Sequence, residues 1–96
     1  MAAITIKFYA LWRTYLGVDR LSLEADDVGQ AMAQLEERFG SRFRAKLQAL
    51  GIPADGEIQD YCLLLLNGCN VSGQNLHQVK LKVEDVLHIF PLAAGG

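Results

Sequence analysis

The stretch LKVEDVLHIFPLAAGG, Leu81 to Gly96, decides how the rest of the chain is read. An acidic turn at Val83 to Asp85 leads into VLHIFP, where Leu87 and Ile89 alternate with Val86, His88 and Phe90. That period of two marks a strand with two unlike faces. The run then passes through Pro91 and small side chains into Gly95 and Gly96. With glycine at about 7% of average composition, two glycines at two given positions arise by chance in about 0.5% of chains. A strand in the middle of a sheet would hold the base of such a tail rigidly and leave the tail itself free, so residues 1–91 are expected to form the domain and 92–96 a flexible tail.

Working back from this ending, AITIKFYA places Ile4, Ile6 and Phe8 on one face of a strand and Thr5, Lys7 and Tyr9 on the other. LWRTYLG reads as a loop closed by Gly17, and DRLSLEA as a second alternating strand, the pair forming a hairpin. From Asp27 the period becomes helical, with Val28, Ala31, Met32, Leu35 and Phe39 on one stripe. Asp27 with Gln30 three residues on fits a capping box, and Gly40 is expected to end this helix, at about Asp27 to Phe39. Phe43, Leu47 and Leu50 predict a second short helix that stops at Gly51. IPADGEIQD is a loop, and YCLLLLNGCNVSG is a strand, an Asn67-Gly68 turn and a short returning strand, because both central residues of a type I′ turn need positive φ. QNLHQVKLKVED is turn-like, anchored by Leu76, Val79, Leu81 and Val83. The resulting order predicts an α+β roll, a sheet of four or five strands crossed by one main helix, with the last strand beside the first.

Composition bounds the function. Ninety-six residues, 51% hydrophobic and 21% charged, make one globular domain. A net charge of -2 supplies no positive field for a phosphate backbone, so nucleic acid is not an expected partner. The N-terminus lacks a signal-peptide pattern, and the apolar run from Tyr61 to Leu66 is far shorter than the roughly 20 residues that span a bilayer. A cytoplasmic protein with reduced thiols and no membrane partner is expected.

No nucleophile motif, phosphate loop or metal-ligand spacing is visible. Cys62 and Cys69 are not cross-strand partners if Asn67-Gly68 is a two-residue turn, and they read as structural or incidental thiols. Arg38, Arg42, Arg44 and Lys46 form a basic cluster that either docks an acidic partner or is a solvated face. Tyr9, His88 and Phe90 group on the outer face of neighbouring strands, as aromatics do at protein interfaces. Chemistry at Gly96 requires activation by another protein, most simply as an acyl-adenylate, because an ionised carboxylate is a poor electrophile. Glycines without Cβ suit a narrow channel in which an enzyme's backbone approaches the carbonyl.

Taken together, ITIKFYA, DDVGQAMAQLEERF, LLLNG and LKVEDVLHIFPLAAGG resemble, in order, the first strand, crossing helix, hairpin strand and ending of the ubiquitin-like sulfur carriers, which include the small subunit of molybdopterin synthase and the carriers of thiamin synthesis. The resemblance implies a β-grasp fold and a carrier with no catalysis or bound cofactor of its own. It implies that Gly96 becomes an acyl-adenylate and then a thiocarboxylate, with Gly95 allowing it into the partner's channel. It sets Phe90 and Tyr9 against the partner; with His88 from the outer-face group, and Pro91 and Leu92 beside them, these are the expected partner-binding residues, and no metal is implied. The implied partners are a ubiquitin-activating-type adenylyltransferase that uses ATP, the large subunit of molybdopterin synthase and a sulfur donor protein. Two departures stand out. Val83-Glu84-Asp85 replaces the usual Asp-Gly-Asp, which bears on the turn geometry, and the longer stretch from Ser41 to Tyr61 favours the molybdopterin branch, with molybdenum or tungsten, over thiamin. A modifier joined to lysines through Gly96 and a plain β-grasp interaction module remain open, since one fold hosts many functions.

Overall fold

The computed structural model describes residues 2–91. Its five strands are β1 (Ala2–Phe8), β2 (Arg20–Ala25), β3 (Cys62–Leu66), β4 (Cys69–Asn70) and β5 (Val86–Pro91), in the sheet order β2-β1-β5-β3-β4. β5 runs parallel to β1 and antiparallel to β3, so the sheet is mixed and β5 lies at its centre. A short helix α1 (Ala10–Leu16) joins β1 to β2, and the long helix α2 (Val28–Ala49) packs across one face. This is the expected α+β, β-grasp arrangement, with the last strand beside the first.

The alternation in β1 and β5 sorts side chains as the sequence predicts. Ile4, Ile6 and Phe8 join Leu87 and Ile89 from β5 and Leu64 from β3 in the core, each worth about 1.5–3 kcal/mol of burial. The hairpin β3–β4 turns on Asn67 and Gly68, at φ 50 and 91, with Leu66 opposite Cys69.

The helical reading needs two corrections. α2 does not break at Gly40: it runs unbroken for 22 residues to Ala49, so the two expected helices are one. The apolar stripe of Val28, Ala31, Met32, Leu35, Phe39, Phe43 and Leu47 keeps its three- and four-residue spacing straight through Gly40. Burying that stripe outweighs the roughly 1 kcal/mol that glycine costs a helix. Gly40 also gives room to the carboxylate of Glu36, which a Cβ there would strike. In that space Glu36 accepts from Arg44 Nη1 at 2.7 and 2.8 Å and from the Ile58 N–H at 2.9 Å, clipping the loop after α2 to the helix. The true stop is Gly51, at φ 81. The second correction concerns LWRTYLG, which is helical rather than a loop. Trp12 and Leu16, four residues apart, are both buried, and the Trp12 ring lies 3.7 Å from that of Phe43. Seven residues make only about two turns of helix, too few to show a period in sequence.

At the start of α2, Asp27 accepts from the Gln30 N–H at 2.7 Å. The Gln30 side chain returns the bond to Asp26 rather than Asp27, so the capping box is offset by one residue. Leu76 and Leu81 are buried anchors and Val79 is partly so, but Val83 is 68% exposed and anchors nothing. It precedes Glu84, which takes φ 72 in the acidic turn, a left-handed conformation glycine adopts without strain. The turn keeps its shape because Asp85 accepts from the Lys82 N–H at 2.8 Å and from Asn67 Nδ2 at 2.9 Å.

Two stability measurements follow by denaturant unfolding. Glu84→Gly is expected to stabilise the protein by up to about 1 kcal/mol, and a loss of stability would refute the strain argument. Gly29 lies beneath the His77 ring, where an added Cβ would collide. Gly29→Ala should therefore destabilise by up to about 1 kcal/mol despite its better helix propensity, because the exposed His77 ring must swing aside and give up its contact with Asp27. In a His77→Ala background the same change should become neutral or stabilising; an unchanged cost would show that the ring is not the obstacle.

Candidate functional site

The central strand carries two chemically different faces. Leu87 and Ile89 point into the core, while Val86, His88 and Phe90 are half-buried on the opposite face. In parallel register Lys7 stands beside His88, and in antiparallel register Leu63 and Leu65 stand beside Phe90 and His88. Tyr9 follows the end of β1, where its N–H donates to the Ile89 carbonyl at 3.2 Å. The same end of the sheet therefore gathers the last residues of β1 and β5 and the first of β3.

Tyr9 joins the other two aromatic groups. Its ring stacks on Phe90 with centroids 4.3 Å apart and planes at 10°. Its hydroxyl lies 2.7 Å from His88 Nδ1, and the two rings are 5.6 Å apart. Stacking of this kind adds about 0.5–1.5 kcal/mol beyond area burial. Of the expected partner-binding residues, Tyr9, His88 and Phe90 thus meet in one cluster. Pro91 pairs with Cys62 as the last residue of β5. Leu92, Gly95 and Gly96, with the whole expected tail, lie outside the described residues.

Leu63 and Leu65 belong to the same outer surface, which sequence reading missed. An unbroken apolar run such as CLLLL conceals its alternation, and only pairing with β5 shows which members face outward.

The other candidates resolve into structural roles. Arg44 is committed to Glu36, and Arg42 lies over the Phe39 ring at 5.3 Å, so the basic cluster is divided along α2. Cys62 is buried and donates to the Ile58 carbonyl at 3.2 Å. Burial pushes its thiol far above the ordinary range; the nearby Trp12 indole pulls the other way and Asp60 adds to the rise. Cys69 is exposed in the hairpin. His77 lies 3.3 Å from Asp27 at the start of α2, away from His88. An open cavity of about 720 Å³ is bordered by Glu36, Arg44, Asp55, Glu57 and Asp60, where the one guanidinium is already paired. Among the described residues no group of three or more His, Cys, Asp or Glu could hold a metal, and no helix is long and apolar enough to cross a membrane.

No protein-family model matches the chain, and no curated protein matches it. Solved structures do. The chain is similar to small archaeal modifier protein 1 from Methanosarcina acetivorans, with TM-score 0.70 and 23% identity over 100% of this chain and 98% of that one. It is similar to small archaeal modifier protein 1 from Haloferax volcanii, with TM-score 0.68 and 22% identity over 99% and 100% of the two chains. It is also similar to a candidate subunit 1 of molybdopterin converting factor from Pyrococcus furiosus, with TM-score 0.64 and 22% identity over 95% and 98%. At this identity the likeness is one of fold, and it extends over nearly the whole chain: the protein has the α+β, β-grasp-like architecture of these structures.

Proposed function

We propose that this protein is a sulfur carrier whose Gly96 carboxyl is loaded by an activating enzyme and unloaded at an acceptor. The observation that carries the reading is the position of β5. It is held on both sides, ends at Pro91, and has the Tyr9–His88–Phe90 cluster beside that end. A partner that grips the cluster would receive Leu92 to Gly96 at a fixed angle. The two terminal glycines suit passage into a narrow site.

The chemistry is an acyl transfer in two steps. A Gly96 carboxylate oxygen attacks the α-phosphorus of ATP, pyrophosphate leaves, and an acyl-adenylate results. A hydrosulfide nucleophile then attacks the acyl carbon, AMP leaves, and a thiocarboxylate remains. The thiocarboxylate sulfur then attacks an acceptor carbon and displaces a leaving group there, giving a thioester; water attacks its acyl carbon, the acyl C–S bond breaks, the sulfur stays on the acceptor and the carboxylate is restored. The first step is the work of a ubiquitin-activating-type adenylyltransferase, because an ionised carboxylate is a poor electrophile until it is activated. The finer reading is delivery to the large subunit of molybdopterin synthase for the dithiolene of molybdopterin or its tungsten equivalent; the likeness to a protein named for molybdopterin conversion supports it. A second reading, conjugation of Gly96 to lysines, is favoured by the likeness to structures named as modifier proteins. Both readings share the adenylation step.

Intact-mass measurement on protein from its own cells should reveal a fraction with one oxygen replaced by sulfur, assigned to Gly96 by fragmentation. Deleting Gly95 and Gly96, or adding one residue after Gly96, should abolish that species. Unmodified chain alone, with pathway activity retained after the deletion, would end the carrier reading; Gly-Gly remnants on lysines of other proteins would favour the modifier. Sulfur loading should also survive Cys69→Ala, because the exposed thiol has no part in the reaction. Loss of loading in that variant would move the chemistry to the thiol.

A further inference from the structure

Strand register aligns three donors across the outer face. Arg20 on β2 is the cross-strand partner of Lys7 on β1, and Lys7 is the partner of His88 on β5. Cross-strand partners share a face, so Arg20, Lys7 and His88 form one row that spans about 10 Å at strand spacing. Among the described residues no ion pair engages Lys7 or Arg20. When the Tyr9 hydroxyl donates to Nδ1, His88 keeps its proton on Nε2, a third donor in the row. The exposed Asp19 lines a depression with Arg13 and Arg20 but does not neutralise the row by an ion pair. Glu24, on this face opposite Ala3, lies toward the other end, as does the turn residue Glu84, whose N–H donates to the Ala3 carbonyl; Ala3 is about 13 Å from Lys7 along β1. The face is therefore polarised on a protein of net charge -2. Positive groups lie next to Tyr9, Phe90 and Leu63, at the end where β5 finishes.

We infer that this row is the docking contact for an acidic protein surface, one that presents carboxylates to Arg20, Lys7 and His88 and apolar side chains to Tyr9, Phe90 and Leu63. The occupant is the enzyme that adenylates Gly96, so the inference rests on the proposed function and names the chemistry of its partner. Two features favour protein over a polyanion. Apolar and aromatic side chains make up the adjoining surface, and the net negative charge of the domain opposes a long phosphate chain. The carboxylates would steer the carrier so that its cluster is seated and its C-terminus faces the enzyme's nucleotide.

ATP–pyrophosphate exchange, with intact protein and the ubiquitin-activating-type adenylyltransferase of the same organism, tests the inference. Lys7→Glu combined with Arg20→Glu should raise the KM for the carrier about tenfold or more, leave kcat within about twofold, and flatten the salt dependence of kcat/KM. Lys7→Arg should behave as the parent. Lys46→Glu combined with Arg38→Glu, exposed changes on α2 that alter net charge by the same amount, should leave KM unchanged; an equal rise there would assign the effect to net charge and overturn the row. An unchanged KM in the double variant, with exchange by the parent intact, would overturn the acidic partner while leaving the carrier function standing. Absence of exchange with the parent would overturn both. Oligonucleotide binding that the double variant loses would reassign the row to nucleic acid.

Discussion

Backbone pairing of β5 on both edges, parallel to β1 and antiparallel to β3, is the constraint on which the other features depend. A parallel neighbour forces the chain to cross over between β1 and β5, and that crossing must carry enough apolar surface to cover one face of the sheet. α2 supplies it. The opposite face is then left to Lys7, Tyr9, Leu63, Leu65, His88 and Phe90, over which the described residues place no second layer. A strand anchored on two sides also gives its final residue a fixed position, so the segment after Pro91 starts from a rigid base.

The loop after α2 shows how a local anomaly serves that constraint. Gly40 weakens a helix in isolation, yet it lets Glu36 reach both Arg44 and the Ile58 N–H. Ile58 is buried just ahead of β3. The clip therefore helps to set where β3 begins, and β3 is the strand that pairs with Phe90 and Pro91. Glu84 is a comparable case, a left-handed residue without glycine's freedom, held by the bonds of Asp85 to Lys82 and Asn67 just before β5. Both places spend stability close to the strand that matters, and nearby packing and hydrogen bonds compensate.

Legibility in the sequence followed the length scale of each signal. Strands β1, β2 and β5 alternate over enough residues to show their faces, and Asn67-Gly68 marks its hairpin by backbone chemistry alone. α1 was hidden because about two turns are too few to show a measurable period. Gly40 read as a stop because propensity is local, whereas the stripe that overrides it is a property of the whole helix. Tyr9, His88 and Phe90 were readable as a group once β1 and β5 were set side by side. Leu63 and Leu65 were not, because an apolar run looks alike whichever face it presents.

What the sequence by itself determined is the strands, the start of α2, the alternation that divides β1, β2 and β5 into two faces, and the glycine-tipped ending after Phe90-Pro91. These depend on neighbours within a few residues, where sterics and periodicity act directly. What only the tertiary structure decided is which elements meet: the continuity of α2, the stacking of Tyr9 on Phe90, the hydrogen bond to His88, and the row that joins Arg20, Lys7 and His88. Those contacts join residues as much as 81 positions apart, Tyr9 and Phe90, and only strand register can bring such residues to one place.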